Sequence, residues 1–260
     1  MGLLDGDTAL VTGAASGIGR GIARALAAEG TRLVLSDVAT EAGQVLACEL
    51  GATFVFADLS DPAAARPLFA DAEARLGTVS ILVHSASPRR HENQTVLAVT
   101  ETQWDEMVTV GLRAAFVLGQ AVGAHMKAHG IRGRMLFVTS LHAASPRNLP
   151  HYSATKAGQT MLVKELARGL GADGIRVNAI APGAIPGGGF ETDKTALEAM
   201  IPLGRTGTPE DIADMAVALL CDRFSRYVTG TTIVVDGGLA LYNWIPFHTS
   251  ASDPRVARRA

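Results

Sequence analysis

The sequence predicts an α/β protein built on a doubly wound parallel sheet of seven strands, with helices on both faces. Three observations carry this expectation. Short runs rich in Val, Ile, Leu and Thr alternate with longer stretches of helical periodicity. The short runs are almost continuously apolar, as strands covered on both faces must be. A glycine-rich turn follows the first run and leads directly into an alanine-rich helix.

Taken in order, Thr8–Thr12 is the first strand, an Ala-Leu-Val run between two threonines, and residues 18–29 form a helix with Ile18, Ile22 and Leu26 on one face. Arg32–Asp37 is the second strand, and Thr40–Leu50 a helix stopped by Gly51. Phe54 and Val55 mark a third strand over 53–57. Residues 62–76 follow as a helix with proline in its first turn. The fourth strand, 80–84, precedes the longest periodic stretch, 102–129, which ends before Gly130. Strands over 134–139 and 175–180 bracket a helix over 153–170. Pro209–Leu220 is the last helix and Thr232–Val235 the seventh strand. A Gly/Pro-rich stretch, 181–190, breaks the regular pattern. Residues 1–242 read as one domain, and 243–260 as a tail with little periodicity.

A chain of 260 residues buries a full core without disulfides or metals. With 23 basic and 25 acidic residues and a net charge of −2, it offers no basic face for nucleic acid. No uninterrupted apolar run has spanning length, so no membrane partner is expected. The first residues lack a basic segment followed by a long apolar one. The two cysteines, Cys48 and Cys221, suit a reducing compartment, and a cytoplasmic protein is expected.

The turn after the first strand reads Thr12-Gly13-Ala14-Ala15-Ser16-Gly17-Ile18-Gly19. Glycines there let the backbone bend tightly and let a pyrophosphate approach the helix N-terminus, where unpaired amides favour negative charge. A glycine-rich turn by itself is also an ordinary structural device. Asp37 ends the second strand 18 residues after Gly19, near the ~20-residue offset of a ribose-binding carboxylate. A carboxylate accepts hydrogen bonds from ribose hydroxyls and repels a 2′-phosphate, which favours NAD over NADP. Arg20 and Arg32 are the cations nearest to such a phosphate in sequence. Asp58 reads equally well as an adenine contact and as part of a helix start.

Tyr152 and Lys156 stand four apart, hence on one helical face. An ammonium beside a phenol favours the phenolate, which suits proton transfer. Ser140 ends the fifth strand at the sheet edge where parallel sheets bind ligands.

With these residues in place the chain resembles the short-chain dehydrogenase/reductase family over residues 4–241. The markers stand in order: Thr12-Gly13-x-x-x-Gly17-x-Gly19, Asp37, Asp58, Ser140, Tyr152-x-x-x-Lys156, Arg176-Val177-Asn178, Pro182-Gly183, Ile201-Pro202-Leu203-Gly204-Arg205 and Val235-Asp236-Gly237-Gly238. The resemblance implies a Rossmann-like sheet and hydride transfer between a substrate carbon and a nicotinamide. It implies that Tyr152 is the general acid/base, that Ser140 orients the substrate oxygen, and that Lys156 binds the nicotinamide ribose and favours the Tyr152 phenolate. Cofactor contacts are expected at Gly13, Ser16, Gly17, Ile18, Gly19, Asp37, Asp58, Leu59, Ser85, Ala86, Tyr152, Lys156, Pro182, Gly183 and Ile185. It further implies a homo-oligomer, dimer or tetramer, with contacts through the C-terminal strand region.

The chain departs from the family pattern at several places. His84-Ser85-Ala86-Ser87 stands in place of Asn-Asn-Ala-Gly. Gly111, seven residues after Trp104, stands where the family has an asparagine that holds a water in its proton relay. Water on main-chain carbonyls, or another polar group, is expected to replace it. Ser140 and Tyr152 are one residue closer than is common, and Gly187 replaces a threonine near the carboxamide.

Ser140, His142, Asn148 and Tyr152 are expected to contact substrate, with Arg89, Arg90, Arg147, His151 and Phe190 nearby. This polar set favours a sugar, polyol or hydroxy acid over a steroid. A 3-oxoacyl-[acyl-carrier-protein] reductase, docking its carrier on Arg132 and Arg134, is the second enzyme reading. A non-catalytic NAD-binding sensor is the alternative of another class. His125 and His129 have metal-compatible spacing but no third ligand nearby in sequence, so they read as helix-end residues and no metal is expected. Met107, Met126 and Met161 read as core filling, and both cysteines as buried. The tail carries Trp244 and Phe247 and reads equally as a cover on a neighbouring subunit or a loose end.

Overall fold

The computed structural model describes residues 2–89, 95–186 and 194–241. Arg90, Gly187, Phe190 and the tail 243–260, all weighed above, lie outside the described residues. Seven strands are present: β1 (Thr8–Thr12), β2 (Arg32–Asp37), β3 (Thr53–Phe56), β4 (Ile81–His84), β5 (Arg134–Val138), β6 (Arg176–Pro182) and β7 (Thr232–Val235). They pair in the order β3-β2-β1-β4-β5-β6-β7, and every pair is parallel. The order reverses between β1 and β4, which opens a crevice at the C-terminal edge of the sheet.

The crossovers are helical: α1 (Gly17–Ala28), α2 (Thr40–Leu50), α3 (Ala65–Leu76), α4 (Glu101–Val108), α5 (Ala114–Ala128), α6 (Pro150–Leu170), α7 (Lys194–Glu198), α8 (Pro209–Leu220) and α9 (Asp222–Ser225). Alternation along the strands explains why a sheet so apolar is stable. Leu10, Val34, Leu82, Phe137 and Val177 face α3, α5 and α6. Their neighbours Val11, Leu35, Val83, Val138 and Ile180 face α1, α2 and α8. Both faces are sealed, as the sequence pattern required.

Four boundaries and two burial expectations need correction. The third helix starts at Ala65 and not at Pro62, because Asp61 accepts a hydrogen bond from the Ala63 amide (2.8 Å) and forms a separate turn. The long helix expected over 102–129 is three pieces: α4, a π-helical turn at Thr109–Arg113 and α5. Gly111 sits in that turn. The helix expected from residue 153 begins at Pro150, which occupies the first helical turn where its missing N–H is harmless, so Tyr152 lies within α6. The sixth strand runs to Pro182. Cys48 and Met161 are exposed, since each lies on the solvent side of its helix, whereas Cys221, Met107 and Met126 are buried. The stretch Glu101–Ala128 does have the length and apolarity to span a membrane, and 56% of an apolar 18-residue segment within it is buried inside the fold.

Candidate active site

The glycine turn between β1 and α1 is shaped by contacts that leave no room for side chains. Gly13 has φ +66°, and a Cβ there would lie 2.7 Å from the Ala86 backbone. A Cβ on Gly19 would strike the Gly13 carbonyl. The turn is therefore folded against both β4 and its own helix. Ser16 precedes α1 without capping it by its side chain, and no acidic residue lies in the first turn. A helix start with its amides uncapped fits a pyrophosphate. Gly17 and Ile18 are half-buried at this opening, and Ser16 is exposed.

Asp37 reaches across from the end of β2. Its Oδ2 accepts from the Ala15 amide (2.9 Å) and its Oδ1 from the Ala39 amide (3.0 Å), so the carboxylate is fixed between the glycine turn and the loop after β2. Each oxygen retains a further lone pair for a ribose hydroxyl. Arg20 donates twice to the Ala15 carbonyl. Arg32 begins β2, donates to the Leu76 carbonyl (2.9 Å) and thus sits at the opposite edge of the sheet from Asp37. Asp58 accepts from the Ser60 amide (2.9 Å), and the Leu59 side chain is buried in the core, which leaves its main chain for a ligand. Ser85 donates its amide to Thr12 (3.2 Å). Pro182 and Gly183 close the far side, where the Gly183 amide bonds the Val235 carbonyl (3.0 Å), and Ile185 packs on the core beside them.

The second half of the site converges on α6. Ser140, after β5, is 6% exposed and begins a single 3₁₀ turn, its hydroxyl accepting from the His142 amide (3.1 Å). Tyr152 is 6% exposed and packs with Met107 and Leu149. Lys156 is buried, lies 5.6 Å from the Tyr152 ring centre and donates to the Val138 carbonyl (2.8 Å). That bond ties the ammonium to β5, the strand that presents Ser140. His142 lies edge-on to Tyr152, with ring centres 6.5 Å apart, and its Nδ1 donates to the Ser145 carbonyl (3.0 Å). Asn148 is exposed in the left-handed region (φ 51°), a conformation asparagine tolerates, which gives it a turn role on its own account. His151 is buried, and burial pushes its pKa down. Arg89 is exposed.

Sequence reasoning missed the surroundings of His84. Its Nδ1 meets Thr12 Oγ1 at 3.0 Å across the β1–β4 pair, and burial first, then the Lys156 charge, push its pKa down to about 3. An imidazole at the end of a wholly apolar strand was the available signal. The expectation of no third ligand beside His125 and His129 is also corrected, because α3 brings Glu73 within 4.8 Å of both. His125 is nevertheless committed: Nε2 accepts from the Val79 amide (3.1 Å), so Nδ1 carries the proton that Glu73 accepts (2.9 Å). Coordination through Nδ1 would move that proton to Nε2, against the Val79 N–H.

A family model described as enoyl-(acyl carrier protein) reductase matches residues 13–240. The chain belongs to the short-chain dehydrogenase/reductase family. A probable galactose dehydrogenase of Rhizobium meliloti is 35% identical over 242 residues, covering 88% of this chain and 93% of that protein. A 3-ketoacyl-(acyl-carrier-protein) reductase from Brucella melitensis, solved with NADH, superposes with a TM-score of 0.85 at 34% identity, over 91% and 99% of the two chains. A blue fluorescent protein from a metagenomic library, solved with NADPH, gives 0.83 at 34% identity, again over 91% and 99%. As a short-chain dehydrogenase/reductase, this protein is an oxidoreductase that interconverts CH–OH and carbonyl groups with a nicotinamide cofactor. The glycine turn, the uncapped start of α1 and Asp37 fit that cofactor.

Proposed function

We propose that the protein is an NAD(H)-dependent dehydrogenase of a polyhydroxylated substrate such as a sugar, polyol or hydroxy acid. The observation that carries the cofactor preference is Asp37, whose two oxygens are held by amides so that negative charge faces the ribose position. A 2′-phosphate there meets a fixed carboxylate; Arg32 lies at the opposite edge of the sheet, and Arg20 is engaged with the Ala15 carbonyl. The cofactor supplies the hydride acceptor or donor. Tyr152 then moves the hydroxyl proton, Ser140 holds the same oxygen, and Lys156, fixed by Val138, keeps positive charge beside the phenol. The residues that would hold the cofactor are Gly13, Ser16, Gly17, Ile18, Gly19, Asp37, Asp58, Leu59, Ser85, Ala86, Pro182, Gly183 and Ile185.

The polar character of His142 beside Tyr152, together with the similarity to a probable galactose dehydrogenase, favours the polyhydroxylated substrate. The similarity to a 3-ketoacyl reductase favours the second enzyme reading. Against it, Arg134 is engaged with Asp7 at the far edge of the sheet and is not free to dock a carrier. Turnover of sugars, polyols, hydroxy acids and 3-oxoacyl thioesters, each with NAD and with NADP, tests both. Turnover of the thioesters alone, or only with NADP, overturns the first reading. Full activity in Tyr152→Phe would overturn the role of that residue, whereas cofactor binding with no turnover of any of these substrates would favour a sensor.

We also propose a homotetramer. Phe116 and Met161 are exposed on α5 and α6, and Phe224, Tyr227 and Val234 on α9 and around β7, giving two separate apolar faces. A monomeric mass by light scattering would overturn this. The exposed free thiol of Cys48 supports a reducing, cytoplasmic location, which tagging and cell fractionation would test.

A further inference from the structure

Three buried polar atoms without a hydrogen-bond partner belong to residues that surround one glycine. They are His84 Nε2, Thr155 Oγ1 and Gln159 Oε1, on residues that are each at most 1% exposed. Gly111 is their common neighbour. The Val110 and Gly111 carbonyls lie close enough to His84 to favour its protonated form, but make no hydrogen bond to Nε2. The methyl group of Thr155 lies where a side chain on residue 111 would begin. Gln159 Nε2 donates to the Gly111 carbonyl. A carbonyl can only accept, so this bond fixes the amide and turns Oε1 away from it.

An unpaired buried polar group costs about 1–3 kcal/mol, so three in one place call for a shared partner. Water is the smallest molecule that donates and accepts at once. It can donate to Gln159 Oε1, accept from the Thr155 hydroxyl and pair with His84 Nε2 in either sense. Burial and the Lys156 charge keep the His84 ring neutral, so it can serve as donor or acceptor here without carrying charge. Thr155 and Gln159 flank Lys156 on α6, and His84 is tied through Thr12 to the glycine turn.

We propose that the space beside Gly111 is a bound-water site lined by His84, Thr155 and Gln159, and that His84 is a positioning residue that fixes the π-helical turn against α6 behind Lys156. The site itself stands on the three atoms; only its effect on turnover rests on the reading of Tyr152 and Lys156 as the reacting pair.

A cofactor-free crystal structure at a resolution that orders internal waters tests the site. The expected result is one water about 3 Å from at least two of the three atoms. No water, with the three groups paired to one another, overturns it. The positioning role is read from kcat and its pH profile in His84→Leu, in His84→Gln, which keeps a donor and an acceptor, and in Thr155→Val, which keeps the shape and deletes the hydroxyl. His84→Leu and Thr155→Val are expected to lower kcat about tenfold or more and to shift the pH profile, with the cofactor KM within about twofold. His84→Gln is expected to recover most of the loss. Wild-type kcat and pH profile in Thr155→Val, or no recovery in His84→Gln, overturns the role. If the water is found while Tyr152→Phe turns over normally, the functional reading fails and the water site stands.

Discussion

At the N-terminal edge of the sheet the charged side chains pair with one another, whereas at the C-terminal edge polar side chains converge and leave bonding capacity open. Asp7, just before β1, takes both guanidinium arms of Arg134 at 2.9 Å and the Ser80 hydroxyl at 2.8 Å. Arg134 also reaches the Leu220 carbonyl (2.8 Å), and Arg176 the Leu219 carbonyl (2.8 Å) and Asp222 (3.0 Å). These bonds join four strands to the end of α8 and give each guanidinium several partners. Across the sheet, Asp37 holds two amides with lone pairs to spare, α1 starts uncapped, and His84, Thr155 and Gln159 leave atoms unpaired. An edge of paired charges resists change; an open one is ready for a ligand. The difference separates polar residues that maintain the fold from those placed to meet a ligand.

The contrast breaks most visibly at Tyr152. Tyr152→Phe is expected to lower kcat at least about a thousandfold, about 4 kcal/mol, with an unchanged thermal midpoint; steady-state kinetics and calorimetry check both. The converse holds at the other edge. Asp7→Ala leaves the Arg134 charge partly buried and unpaired, and is expected to destabilise by about 3 kcal/mol in urea titration while kcat stays within about twofold.

His84 sharpens the comparison through pH. Its folded-state pKa is depressed to about 3, so between the unfolded value near 6.5 and pH 3 the unfolded chain binds the extra proton. Stability from this group is complete above about pH 6.5 and is lost as pH falls below it, by about 2 kcal/mol at pH 5. His84→Gln is expected to remove that part of the acid sensitivity, read as a smaller fall in thermal midpoint between pH 7 and pH 5. The smallest effect is at Asp37. Asp37→Ala is expected to raise the KM for NAD about tenfold, about 1.4 kcal/mol, and to narrow the preference over NADP.

Much of this was legible because the informative residues are constrained by backbone. The glycine turn could be placed from sequence since only glycine meets the approaches of Ala86 to residue 13 and of residue 13 to residue 19. The strands showed as almost continuously apolar runs, because each strand packs a core on both of its faces. The Tyr152–Lys156 pair followed from helical spacing. What stayed hidden depends on contacts between distant segments. No local pattern indicates that Lys156 bonds Val138, that Glu73 on α3 meets His125, or that Gly111 introduces a π-helical turn in an otherwise regular apolar stretch. Helix starts at Ala65 and Pro150 were misplaced because side-chain turns and proline geometry compete with apolar periodicity there.

The methyl group of Thr155 against Gly111 also sets a rule for redesign. An asparagine placed at position 111 alone collides with that methyl group, and a smaller residue at 155 alone leaves a hole. Any change between the two arrangements passes through an intermediate that is worse than either end. Placing an asparagine at position 111 of this enzyme therefore means exchanging residues 111 and 155 in one step, as a single interchangeable part.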